Sequence, residues 1–114
     1  KGDIVVSDCD ISGATFGNVV FRNGARGLLQ GNRIYGAEGS GVVVWGGSSP
    51  TIRQNSIKDC GNGVIFLEGG RGLVDGCSIS SCSKSGVRVE GNSDAIVKAC
   101  SVHHCRKSGL IAVS

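Results

Sequence analysis

The stretch Pro50-Thr51-Ile52-Arg53-Gln54-Asn55-Ser56-Ile57 sets an apolar residue three positions before an asparagine and another two positions after it. The same spacing returns along the whole chain. With Asn55 as anchor, the equivalent positions are Cys9, Asn32, Cys77 and Cys100, at intervals of 23, 23, 22 and 23 residues. Val6, Leu29, Ile52, Val74 and Val97 precede the anchors, and Ile11, Ile34, Ile57, Ile79 and Val102 follow them. A later segment supplies Val19, Val42, Val64, Val87 and Leu110, with Phe21, Val44, Phe66, Val89 and Ala112 two residues on. Spacing by two is the mark of a strand.

Each repeat therefore holds about three short β-branched strands, punctuated by Gly, Asn, Ser and Asp, with no helical periodicity. A unit of ~23 residues cannot bury its own apolar face, whereas stacked units share a continuous core. The expected fold is all-β: a right-handed parallel β-helix of five coils spanning residues 1–114, each coil rising ~4.8 Å. Leucine-rich repeats are excluded because Leu-x-x-Leu-x-Leu does not recur, and a propeller needs roughly 40 residues per repeat. The Asn column is expected to take left-handed backbone geometry at a sharp bend and to hydrogen-bond along the stack.

Composition agrees with this reading. The 114 residues are 39% hydrophobic and 18% charged with a net charge of +3, which excludes a collagen, a disordered tail or a two-domain enzyme. Twenty Gly, one Pro and no Met mean few bulky anchors and much permissive backbone. No apolar run approaches the roughly 18 residues of a membrane span, and the opening Lys1-Gly2-Asp3-Ile4-Val5-Val6 lacks the regions of a signal peptide. The chain reads as the middle of a longer one. The core pattern is already running at Ile4–Val6 and still running at Leu110–Val113, with no polar cap. The segment is therefore expected to continue into a longer chain or be covered at both ends by other proteins, and alone to aggregate or associate end to end.

The segment from Ser48 to Ser80, with its Pro50–Ile57 core and Gly70-Arg71-Gly72 connector, resembles the parallel β-helix repeats of the carbohydrate-binding and sugar-hydrolase type. Within that group it is similar to the β-helix region of F-box ubiquitin-ligase adaptors, although it has no F-box. The resemblance implies a pectate-lyase-like superfamily that holds polysaccharide lyases and hydrolases as well as non-enzymatic recognition modules. It also implies that any catalytic site would lie on the outer face of the Gly-Val-x-Val sheet.

Alternation places Val20, Val43, Ile65, Arg88 and Ile111 in one outward column of that sheet, and Arg22, Trp45, Leu67, Glu90 and Val113 in the next. One carboxylate among ten positions is too few for paired-acid glycoside cleavage or a calcium cage. Asp8, Asp10, Glu38, Asp59 and Asp75 fall in other columns and read as solvated turn and strand-face residues. The sequence thus offers no catalytic, cofactor or metal site. Cys100, His103, His104 and Cys105 lie within six residues, but His103 is expected outward and both cysteines inward, so a zinc site does not assemble. Basic residues are scattered with few aromatics between them, which argues against nucleic acid.

Cys60, Cys82 and Cys105 share an interior column with Ala14 and Ala37, and Cys9, Cys77 and Cys100 share the anchor column. Free buried thiols are expected, and with them a reducing compartment such as the cytoplasm, with an extracellular setting as the alternative. A sheet face meant for water carries polar residues outward. The face formed by Val20, Val43, Trp45, Ile65, Leu67, Ile111 and Val113 does not, so it is the candidate interaction surface of a non-catalytic scaffold with protein partners in a larger assembly. The alternative is a carbohydrate-binding or carbohydrate-active module.

Overall fold

The computed structural model describes residues 3–114. They form five coils of three strands each. The first coil holds β1 (Asp3–Ser7), β2 (Asp10–Ser12) and β3 (Gly17–Phe21), and the second β4 (Arg26–Gln30), β5 (Arg33–Tyr35) and β6 (Ser40–Trp45). The third holds β7 (Thr51–Arg53), β8 (Ser56–Lys58) and β9 (Asn62–Leu67), and the fourth β10 (Leu73–Asp75), β11 (Ser78–Ser80) and β12 (Ser85–Glu90). The fifth is β13 (Ile96–Lys98), β14 (Ser101–His103) and β15 (Ser108–Val113). No helix occurs among the described residues, and so none is long and apolar enough to cross a membrane.

First, second and third strands of successive coils pair in parallel to make sheets A, B and C, five strands each. The fold is a right-handed parallel β-helix, the hand that parallel crossovers take. Register matches the repeat: Ile11, Ile34, Ile57, Ile79 and Val102 stack rung on rung in sheet B. A slip of one residue would turn each of these side chains out to solvent. Leu29, Ile34, Ile52, Ile57, Val64, Phe66, Val74 and Ile79 are wholly buried, each contributing roughly 1.5–3 kcal/mol by leaving water. Interior residues of the first and last coils are less covered; Leu110 is 58% exposed where Val42 and Val64 are fully enclosed.

At the entry to sheet C the interior is too narrow for any side chain. A Cβ on Gly63 would stand 2.5 Å from the carbonyl oxygen of Gly86 and 2.6 Å from Ile79, and one on Gly86 would meet Gly109 at 2.7 Å. The glycine column is what lets each third strand turn in over the isoleucine column.

The corners differ from expectation in one respect. The anchors do not adopt left-handed backbone; the residue before each does, at Asp8, Gly31, Gln54, Gly76 and Ala99, with φ between 54° and 71°. The chain turns at that residue so that the anchor side chain can lie inward along the stack. The hydrogen bonding along the stack is as the sequence implies. Asn32 N–H donates to Asn55 Oδ1 at 2.9 Å and Asn55 Nδ2 donates to the Leu29 carbonyl at 2.8 Å. The same pattern ties Asn32 to Cys9 and Val6.

Candidate interaction face

The outer face of sheet C is built by alternation. In β6, Val42 and Val44 point to the core and Val43 and Trp45 away from it, and pairing carries this through β3, β9, β12 and β15. Val20 is 39% exposed, Val113 is 37% exposed, and Trp45, Ile65, Leu67 and Ile111 are half-buried. Arg88 and Glu90 sit two residues apart on the same face of β12 and form an ion pair.

Val43 corrects the sequence reading. It lies on the outer face between Val20 and Ile65, yet only 1% of it is exposed. Its side chain packs against the start of β3, where a Cβ on Gly17 would stand 2.8 Å from Val43 Cγ2, and an aromatic pair lies on the same face. Phe16, just before β3, and Trp45, at the far end of β6, bring their rings to 6.3 Å between centroids at an interplanar angle of 59°. Their backbones stand at opposite ends of the sheet, so the two side chains reach toward each other along its outer face. The accessible surface is therefore the two rings with Val20, Ile65 and Leu67. Phe16 was not singled out by alternation, because it stands in a corner. The available signal was its column: the equivalent positions are Gly39, Gly61, Lys84 and Lys107, so one aromatic interrupts a run of small and charged residues.

Beside Trp45 is a recess of about 80 Å³ lined by Arg22, Asn23, Trp45 and Gly46. Ser48 fixes its back wall: Ser48 Oγ donates to the Trp45 carbonyl at 2.8 Å and accepts from Ala25 N–H at 3.1 Å.

Sheet B offers the opposite chemistry on the same coils. Its outward positions include Asp10, Arg33, Ser56, Ser78 and Ser101, with Tyr35, Lys58 and His103 in the next column. Arg33 grips Asp10 with two hydrogen bonds of 2.7 and 2.8 Å, and that carboxylate holds its guanidinium above its ordinary value. An open groove of about 450 Å³ runs past Arg33, Tyr35, Ser56, Lys58 and Asp59. Sheet A carries a second apolar stripe that the sequence reading passed over, Val5, Leu28, Leu73 and Ile96, interrupted by Thr51. It is one residue wide and fenced by the ion pairs Asp3–Arg26 and Arg53–Asp75.

The carboxylates do not converge. Asp10 and Asp75 are spent on ion pairs, and Asp8 and Asp59 make left-handed corners. His103 and His104 share a hydrogen bond of 2.7 Å between their Nδ1 atoms in solvent, while Cys105 lies in the interior column above Cys82. Among the described residues no three His, Cys, Asp or Glu side chains are placed to hold a metal ion. All six cysteines are unpaired. Burial pushes the Cys60, Cys77 and Cys82 thiols up, Cys82 to about 12, with the neighbouring Cys105 thiol adding to the effect. Such thiols resist ionisation and are poor nucleophiles at neutral pH.

The family described as "Right handed beta helix region" matches residues 1–113, and the chain belongs to it. The chain is similar to SHC SH2 domain-binding protein 1 of Homo sapiens, 31% identical over 64 residues, which is 56% of this chain and 9% of that protein. It thus spans less than a tenth of that relative's length. No solved structure matches the chain.

Proposed function

We propose that this β-helix is a rigid, non-catalytic scaffold that docks a protein partner on the outer face of sheet C, within a larger assembly. The observation that supports it is the contrast between faces. Sheet C turns Val20, Trp45, Ile65, Leu67, Ile111 and Val113 outward, where sheet B on the same coils turns out serines, the Asp10–Arg33 ion pair and histidine. Exposed apolar surface marks interaction sites, and here Val20, Trp45, Ile65 and Leu67 form the patch, with Ile111 and Val113 beyond the Arg88–Glu90 pair. The similar human protein is named for binding a protein domain, which points the same way. Within the family we place the chain with recognition modules such as those of F-box adaptors and apart from the lyases and hydrolases, because the single carboxylate on the face, Glu90, is held by Arg88. Six unpaired cysteines support a reducing compartment.

The test is Ile65→Asp with Leu67→Asp in the full-length protein, followed by affinity capture and quantitative mass spectrometry against the native protein. The double variant is expected to lose specific partners with its far-ultraviolet circular dichroism unchanged. Partners retained on a folded variant would exclude this face. Loss of folding would show that another part of the polypeptide covers it.

A second reading, carbohydrate binding, draws on the Phe16–Trp45 pair. A sugar ring stacks on a flat aromatic surface, and the 59° tilt of these rings does not provide one. Saturable quenching of Trp45 by an oligosaccharide would favour this reading over protein docking.

A further inference from the structure

The charges on the outer face of sheet C are unequal. Arg88 and Glu90 neutralise each other, whereas Arg22, exposed at the end of β3, has no acidic partner among the described residues. Arg22 falls in register with Trp45, one residue beyond the paired Phe21 and Val44, and both line the recess with Asn23 and Gly46. Two local features shape the backbone beside that recess. Ser48 pins the Trp45 carbonyl, and Gly46, at φ 66°, has no Cβ where one would stand 3.2 Å from the Asn23 nitrogen. A volume of about 80 Å³ accommodates a carboxylate with a water or two, given the ~30 Å³ share of one water. The guanidinium presents paired donors that match two carboxylate oxygens, and Trp and Arg together are the residues on which docking energy concentrates.

We propose that this recess receives the carboxylate of an acidic side chain from a linear segment of the partner protein, whose neighbouring apolar side chains lie on Trp45, Leu67 and Ile65. The proposal rests on sheet C being the docking face and adds the chemistry of what docks there.

Trp45 is the one tryptophan of these 114 residues, and a Trp45→Phe control assigns an emission change to this site. The probes are acetyl-Leu-Glu-Leu-amide, its glutamine counterpart and inorganic phosphate, each titrated against the full-length protein. The glutamate peptide is expected to shift Trp45 emission saturably and to bind about fivefold more tightly than the glutamine peptide, the size of one exposed charge pair. Arg22→Gln should erase that preference and Arg22→Lys should restore part of it. Equal binding of the two peptides, with both lost in the Ile65→Asp, Leu67→Asp variant, would overturn the carboxylate site and leave the docking face standing. No binding of either peptide would overturn the proposal. Displacement of the glutamate peptide by phosphate at matching concentration would overturn the carboxylate assignment in favour of a general anion site.

Discussion

The two interior corner columns change chemistry along the axis of the solenoid. Above an exposed Cys9 in the first coil, the anchors are Asn32 and Asn55 in the second and third coils and Cys77 and Cys100 in the fourth and fifth; the second corner carries Ala14 and Ala37 in the first two coils and Cys60, Cys82 and Cys105 in the last three. The job at the anchor is the same. A side chain must accept the N–H of the anchor one coil down and donate to a strand-end carbonyl there. Asn55 does this at 2.9 and 2.8 Å. Cys100 does it at 3.4 Å from Cys77 N–H and 3.6 Å to the Val74 carbonyl. The thiol is a weak donor and a weak acceptor, so the upper half fills the corner by volume where the lower half bonds it.

That difference gives the largest predicted effect. Asn55→Ala leaves the buried Asn32 N–H and the Leu29 carbonyl without partners, and the loss should be about 3 kcal/mol. Cys100→Ala, at the equivalent position, should cost roughly 1 kcal/mol or less. Urea midpoints at constant slope measure both. Equal costs would mean that the amide ladder is no better than packing. Asn55→Cys, falling between the two, would show how much of the amide's role a thiol supplies.

A second effect appears only in the upper half, and only at high pH. The Cys82 thiol is held neutral to about 12, against an ordinary 9.0. Because its folded value is raised, its contribution is intact below pH 9 and falls as pH rises from there towards 12, where the unfolded chain has released the proton and the folded one has not. The loss relative to Cys82→Ala should be on the order of 2 kcal/mol by pH 11. Alanine fits, since buried Ala37 occupies the same column two coils down. Superimposable pH profiles would show that the thiol is not held neutral by burial. Alkylation at neutral pH sharpens the same contrast: exposed Cys9 should react first, buried Cys60, Cys77 and Cys82 last, and the unfolded, unreduced protein should label at six sites.

What the sequence disclosed and what it withheld divide along a physical line. In a parallel stack each residue meets its own equivalent, so columns such as Ile11 to Val102 could be read directly from the 22- and 23-residue spacing. The outer face follows a looser rule. Val43 has an outward-facing address like Val20 and Ile65, but it is buried against the neighbouring strand at Gly17, and the alternation rule encodes only direction, not cover. The apolar stripe on sheet A runs one residue out of phase with the interior column, so it has the same spacing in the sequence as the core beside it. The left-handed positions were misplaced by one residue, because Asn55 carries a turn-prone side chain. Gly31 and Gly76, standing directly before two anchors, were the better sign.

Those corners carry the smallest predicted effect. Before the anchors, the lower half turns through Asp8, Gly31 and Gln54 and the upper half through Gly76 and Ala99. Aspartate tolerates left-handed geometry through local hydrogen bonding and glycine adopts it freely, but Ala99, at φ 54°, does so with a Cβ crowding the following carbonyl and with no polar group to compensate. Ala99→Gly relieves that crowding and also loosens the unfolded chain, two effects of opposite sign. The relief, about 1–2 kcal/mol, is the larger of the two, so the variant should gain roughly 0.5–1 kcal/mol. Gly31→Ala in the lower half should lose at least that much, since its added Cβ would also come within 2.7 Å of the Asp8 carboxylate. Thermal midpoints moving in opposite directions for the two substitutions would place the strain at the residue before the anchor, in both halves of the column. A loss for Ala99→Gly would mean that the stack imposes the turn so firmly that the residue making it hardly matters.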